Sequence, residues 1–301
     1  MSRAQDLFPT RLERKLGMFE RLDQVVHTPE ERMADGPLSV DKVREFDERG
    51  FLFFDSFFDK SEMEKFIQEL QEYEEDEDLK LSEGTILEPG KEEIRSIFGI
   101  HEISKRFDRL TRDPHLLKIV RQLLDSEVYI HQSRINYKPG FKGKGFNWHS
   151  DFETWHSEDG MPRMRCLSCS IVMTENNEFN GPLMLIPGSH KYFIPCVGRT
   201  PEDNYKESLK TQNLGVPDGA SLTRLMNENA IEAPKGPAGS LIIFECNTLH
   251  GSNANMSCWP RSNLFFVYNS VHNTLTEPFC GNKPRPEFLA NRKNWDPLKP
   301  V

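Results

Sequence analysis

The chain has 301 residues, 37% of them hydrophobic and 28% charged, enough to bury a substantial core as one large domain or two small ones. Its 38 basic residues against 47 acidic ones leave a net charge of −9, which argues against a general nucleic-acid or anionic-membrane binder because the phosphate-facing basic surface is missing. The first residues, MSRAQDLFPTRLERKLGMFERLD, hold no continuous apolar stretch, and runs such as SLIIF and NLFFVY are far too short to cross a bilayer. The expectation is a cytoplasmic protein.

In chain order, Ser39 is positioned to cap a helix through VDKVREFDER that Gly50 ends. FLFFDSFF reads as a short buried strand. SEMEKFIQELQEYEEDED follows with Met63, Phe66, Ile67 and Leu70 at helical spacing, its acidic end a solvated surface. PHLLKIVRQLLD is a further amphipathic helix with Pro114 in its first turn. Residues 1–125 are thus a mainly helical flanking region.

After residue 126 the character changes. EVYIHQSRINYKP, RCLSCSIVMTE, PLMLIPGS, GSLIIFEC and SNLFFVYNS are rich in β-branched and aromatic residues, separated by Pro, Gly and Asn. Many short strands without interleaved helices predict an antiparallel sandwich or barrel, with a jelly roll as one solution. Residues 198–238 are long and polar with one helix at SLTRLMNEN, the profile of an insertion that works as a lid or binding loop. Of six cysteines, Cys166 and Cys169 form a C-x-x-C inside an alternating strand. Positions three apart on a strand face opposite sides, so the pair is poorly placed to share a metal.

WHSDFETWH, residues 148–156, carries the chemistry. His149 and Asp151 are two apart and leave one face of an extended strand together, able to hold two neighbouring corners of a metal's coordination sphere. His250 follows GSLIIFEC by a short turn and precedes GSNAN, a strand mouth rather than a core position. Two histidines and a carboxylate on one triangular face leave three positions open, as in non-haem Fe(II) oxygenases. The bland alternative is a half-exposed strand pair that binds nothing. Arg261, just before SNLFFVY, returns a guanidinium towards the metal side and suits a two-pronged grip on a carboxylate. Trp155 and Glu153 lie an even number of positions from His149 and share its face, and His156 points away as a structural residue.

This pattern resembles the Fe(II)/2-oxoglutarate-dependent dioxygenases of the phytanoyl-CoA hydroxylase superfamily. HQSRINYKPGFKG, WHSDFETWHSEDGMPRMR, NGPLMLIPGSHK and HGSNAN are similar, within it, to the ectoine hydroxylases, from roughly residue 127 to 290. The resemblance implies one dioxygenase domain over 1–301, mainly β with flanking helices, its double-stranded β-helix (jelly-roll, cupin-like) core at 126–290. It implies hydroxylation of ectoine to 5-hydroxyectoine in compatible-solute synthesis, with release of succinate and CO2. Iron would be held by His149, Asp151 and His250, and 2-oxoglutarate, used with O2, by Lys138, Arg261 and Asn136. Ectoine would be held by Gln132, Trp155 and Arg285, in a homodimer. Two alternatives stay open: a related hydroxylase of another small zwitterion such as proline, and a non-enzymatic metal-binding jelly roll.

Overall fold

A computed structural model gives the fold of residues 5–15, 17–90 and 93–301; Leu16, Lys91, Glu92 and the first four residues of the N-terminal stretch read above lie outside the described residues. The chain begins with β1 (Phe19–Glu20), and α1 (Val40–Arg49) starts where the Ser39 side chain accepts the Lys42 amide at 3.3 Å. It stops at Gly50, whose φ is 80°. A Cβ there would also lie 2.3 Å from the His190 ring. Only the first half of FLFFDSFF is strand, β2 (Phe51–Phe54), because the chain turns at Ser56 with a φ of 51°. Then come α2 (Lys60–Glu75), α3 (Glu77–Lys80), β3 (Thr85–Leu87), β4 (Ile94–Phe98), α4 (Ile100–Ile103), α5 (Lys105–Thr111) and α6 (Pro114–Leu124). The Asp113 side chain caps α6 through two amides, ahead of Pro114.

Beyond residue 126 lie β5 (Val128–Lys138), β6 (Phe146–His149), α7 (Asp151–Thr154), β7 (Cys166–Val172), β8 (Met184–Leu185) and β9 (Tyr192–Phe193). They are followed by α8 (Tyr205–Ser208), α9 (Gly219–Asn229), β10 (Leu241–Glu245), β11 (His250–Ser252) and β12 (Arg261–Ser270). Two expectations are corrected. PLMLIPGS contributes only two strand residues, and α7 with a π-turn at Trp155–Asp159 interrupts a region read as free of helices.

Seven antiparallel strands form the large sheet in the order β2-β10-β7-β12-β5-β4-β3, and a second sheet runs β6-β11-β8. Leu183 and Leu185 around the small sheet pack with Phe51, Ile242, Phe244 and Phe265 of the large one, so the two sheets face each other as a jelly roll. On the other face of the large sheet, Leu52, Ile135, Cys169, Ile243, Leu264 and Phe266 pack against the helical third through Phe46, Met63, Phe66, Phe107 and Leu117. Parity sorts them: Ile243 goes to the helices while Ile242 and Phe244 go between the sheets, which is why the run Leu241–Phe244 is apolar at every position. Cys169 lies in the helix-side core and Cys166 in a different cluster, as the C-x-x-C reading expects.

Parity breaks at one place that matters. Val267 pairs with Gln132 and Tyr268 with Ile130, so His131 is the extra residue of a β-bulge. Val128 and Ile130 point to the helices, and beyond the bulge the even positions Gln132, Arg134 and Asn136 turn to the inside of the roll.

Phe266→Ala removes a fully buried ring from the sheet–helix core and is expected to cost about 3–5 kcal/mol in urea unfolding. A loss below about 1 kcal/mol would contradict this packing.

Candidate active site

The small sheet brings the two histidines together. His149 ends β6, His250 begins β11, and the two are directly paired, with ring centroids 4.2 Å apart. Each ring is aimed from behind: His149 Nδ1 bonds the Asn147 carbonyl at 2.7 Å and His250 Nδ1 the Thr248 carbonyl at 2.9 Å. Both Nε2 atoms are left to face Asp151, at 3.7 Å and 3.8 Å from its oxygens.

Asp151 reaches this point by a route the strand reading did not foresee. The chain leaves extended geometry at Ser150, whose hydroxyl accepts the Glu153 amide at 3.4 Å and starts α7. Ser150-x-x-Glu153 is a helix-start signature that was present in the sequence. Trp155 therefore shares Asp151's side of the chain by helical spacing of four, not by strand alternation. Glu153, expected on the metal face, is instead buried against Arg11, and His156 is structural as expected, stacked on Phe279 at 4.0 Å.

His149, Asp151 and His250 offer ligand atoms all within 4.8 Å of one another, the one such group among the described residues. Burial, and then His250, hold the His149 pKa down to about 4, and burial lowers His250 as well. Burial alone would raise Asp151, but His250 and the buried Arg134 keep it below the usual carboxylate range. Two neutral imidazoles beside an ionised carboxylate are the protonation states a divalent metal needs. Asp151 Oδ2 is buried without a hydrogen-bond partner, so the donor set fits a cation.

Above the triad opens a cavity that is continuous with solvent at its mouth. Gln132, Asn136, Trp155, Arg261 and Arg285 all line it, as does the triad. Arg261 is buried, gives Nε and Nη2 to the Gly181 carbonyl at 3.2 and 2.6 Å, and is pushed down to about 9 by burial and by Arg95. Arg285 uses both Nε and Nη2 on Asp159, each at 2.7 Å; the Asp159 carboxylate also lies 3.3 Å from His131 Nε2. The His131 ring stands edge-on to Trp155 at 5.2 Å. Lys138 is placed differently from the rest. It is fully buried behind the wall, where its Nζ donates to Ser252 Oγ at 2.8 Å and to the Asn253 carbonyl, and only Ser252 reaches the cavity.

Several wall residues escaped sequence reading. Arg134 and Phe265 stack at 4.8 Å across β5 and β12, and Arg134 also donates to Gln132. Alternation from Gln132 through Arg134 to Asn136 was the available signal. Ser252 and Phe146 carried none. Part of the 198–238 segment roofs the cavity: Asn204 donates to Glu158 at 2.9 Å and the Gln212 carbonyl accepts from Asn147 at 2.8 Å. The rest, including α9, packs with Ile186, Ile194 and Leu249 through Leu225.

The chain matches the phytanoyl-CoA dioxygenase (PhyH) family over residues 46–263. It belongs to that family. It is 50% identical to the ectoine dioxygenase of Bordetella bronchiseptica over 301 residues, covering 100% of this chain and 97% of the relative. To the ectoine dioxygenase of Halomonas elongata it is 52% identical, covering 97% and 89%. The crystal structure of EctD from S. alaskensis with 2-oxoglutarate and 5-hydroxyectoine superposes with a TM-score of 0.88 at 43% identity, covering 99% and 98% of the two chains. The carbocyclase SnoK, at 19% identity and a TM-score of 0.62, shares the fold.

Asp151→Asn keeps the side-chain shape and removes the charge. Its affinity for Fe(II), or for Co(II) as a spectroscopic substitute, is expected to fall by more than about tenfold, while metal-free stability is equal to or above that of the parent. Unchanged metal affinity would remove Asp151 from the centre.

Proposed function

We propose that this chain hydroxylates ectoine to 5-hydroxyectoine, using Fe(II) held by His149, Asp151 and His250 with 2-oxoglutarate and O2 as cosubstrates. The observation that carries the reading is the buried triad with an unpartnered Asp151 oxygen at the base of a cavity lined by arginines and an indole. The full-length similarity to ectoine dioxygenases supports the substrate. The iron, when bound, supplies the oxidising power that couples decarboxylation of 2-oxoglutarate to succinate with hydroxylation. The reading extends to a single dioxygenase domain, a homodimer and a cytoplasmic location; among the described residues no helix is long and apolar enough to cross a membrane.

The protein's own share is binding, orientation and exclusion of water. Arg261 grips the distal carboxylate of 2-oxoglutarate, its Nη1 free of hydrogen bonds among the described residues. Asn136, held by Ser96 Oγ at 2.9 Å, and Lys138, acting through Ser252, complete that end. Ectoine pairs a delocalised cation with a carboxylate. The Trp155 face attracts the cation, and Gln132, steadied by the Leu289 carbonyl at 2.7 Å, orients the ring. Arg285 meets the carboxylate with the nitrogen that Asp159 leaves free. The 204–214 roof keeps bulk water from the reacting carbon.

With Fe(II), 2-oxoglutarate, O2 and ectoine supplied, the product is expected to gain one oxygen atom by mass with stoichiometric succinate. Turnover of proline in preference to ectoine would overturn the substrate, and absence of succinate under either would overturn the enzyme. Trp155→Ala is expected to raise KM for ectoine about 2–30-fold, the range a lost cation–π contact spans.

Lys138 gives a pH signature. Burial, then Arg261, push its ammonium down to about 5, so it is neutral at pH 7 before the cosubstrate arrives. An incoming carboxylate favours the charged form and raises that value, so binding takes up a proton above about pH 5 and weakens as pH rises through the raised value. Calorimetry in buffers of different ionisation enthalpy is expected to show this uptake, and Lys138→Met to abolish it. No uptake in the parent would remove Lys138 from the cosubstrate end.

A further inference from the structure

The helical turn Asp151–Asp159 carries the metal carboxylate and the substrate-facing indole, and the far end of the sequence holds it. Arg11 is 6% exposed although it precedes the first strand, and it lines the same cavity as Thr154, Trp155 and Glu158. Its Nε and Nη2 meet Glu153 at 2.6 and 2.8 Å, Nη2 also reaches Thr154 Oγ1 at 3.2 Å, and Nη1 lies 3.2 Å from Glu158 Oε1. Glu153 stands two residues after Asp151 and Glu158 three after Trp155, so one guanidinium spans the turn from its metal end to its substrate end.

The backbone around Arg11 is arranged for this grip. Arg11 has a φ of 57°, a region that side chains rarely occupy and that persists where the surroundings impose it. Those surroundings are explicit: the Arg11 amide donates to the Cys196 carbonyl at 2.9 Å, the Gly198 amide to Leu12 at 3.0 Å, and the Cys196 amide to Thr10 Oγ1 at 2.9 Å. Thr10 Oγ1 itself donates to Glu153 at 2.6 Å. Three residues before Arg11, Phe8 packs edge-on against Phe152 and His156, and Asp6 reaches His156 at 2.9 Å.

We infer that Arg11 is a positioning residue of the active site, and that the segment Asp6–Leu12 is a strap that sets where the Trp155 indole and the Glu158 carboxylate stand in the cavity. The inference rests on the ectoine reading for its substrate. Without the guanidinium, Glu153 and Glu158 are two buried carboxylates five residues apart with only hydroxyl and amide donors, and the turn has to move outward to hydrate them. A lysine carries one point charge and cannot reach both ends. Because His149 and His250 are held by the small sheet, the loss falls on the substrate side first.

The test uses the full chain with Fe(II) loaded, comparing the parent with Arg11→Lys and with Glu158→Gln, which cuts only the cavity-side arm. Both variants are expected to raise KM for ectoine about tenfold with KM for 2-oxoglutarate changed less than twofold, and to consume more 2-oxoglutarate per ectoine hydroxylated. Millimolar guanidinium is expected to restore that ratio in Arg11→Ala. Loss of activity only in proportion to the folded fraction, with both KM values and the coupling ratio intact in Arg11→Lys and Glu158→Gln, overturns the inference. Peptide-resolved hydrogen exchange separates it from the substrate reading: residues 151–160 are expected to exchange faster in Arg11→Lys with no substrate present. Unchanged exchange there overturns the strap, whereas a parent that leaves ectoine unmodified overturns only the substrate.

Discussion

A buried carboxylate oxygen with nothing to bond is among the costlier arrangements in a protein interior, and Asp151 Oδ2 is such an atom. It is sustained because two imidazole nitrogens point at the same spot, giving the three groups a common use for a cation. Everything near the site follows from delivering that oxygen to that spot. The pairing of β6 with β11 aligns the rings, carbonyl contacts behind each ring fix which nitrogen faces forward, and the helix start at Ser150 swings the carboxylate across.

The turn that bears Asp151 is unusually acidic for a buried segment. Glu153, Glu158 and Asp159 follow within eight residues, all under cover. Each finds a partner from a distant stretch: Arg11 for the first two, Arg285 for the last. Burial would raise Glu153 and Asp159, yet Arg11 and Arg285 hold both below the usual carboxylate range. The result is a rod that carries Asp151 and Trp155 and is riveted by two arginines that themselves line the cavity. Rigidity here is electrostatic as much as steric.

Much of this was legible in the residues because the signals were local. Ser39, Gly50 and Pro114 marked helix ends, the β-branched runs marked strands, and His-x-Asp with a later histidine marked the metal site. What escaped depended on partners remote in sequence. The bulge at His131 exists only as a relation between β5 and β12, and it decides which face of β5 the cavity takes, although alternation from Gln132 to Asn136 put Arg134 within local reach. Arg11 lies 142 residues from Glu153, beyond the reach of any spacing rule. The misread 151–155 strand is a different failure: a capping signal was present, and the alternation of aromatic and polar residues outweighed it.

The large sheet divides labour between its two sides. One side is sealed to the helices by aliphatic and aromatic side chains; the other presents arginines, amides and rings to the reaction chamber. Away from the bulge at His131 these duties alternate residue by residue along the strands, so a change that retunes chemistry need not touch the neighbour that holds the architecture. The shared fold with a carbocyclase at 19% identity accords with that separation. Such a scaffold can drift far in what it transforms while its supporting half stays put, which makes it a tolerant chassis for inventing new oxidations.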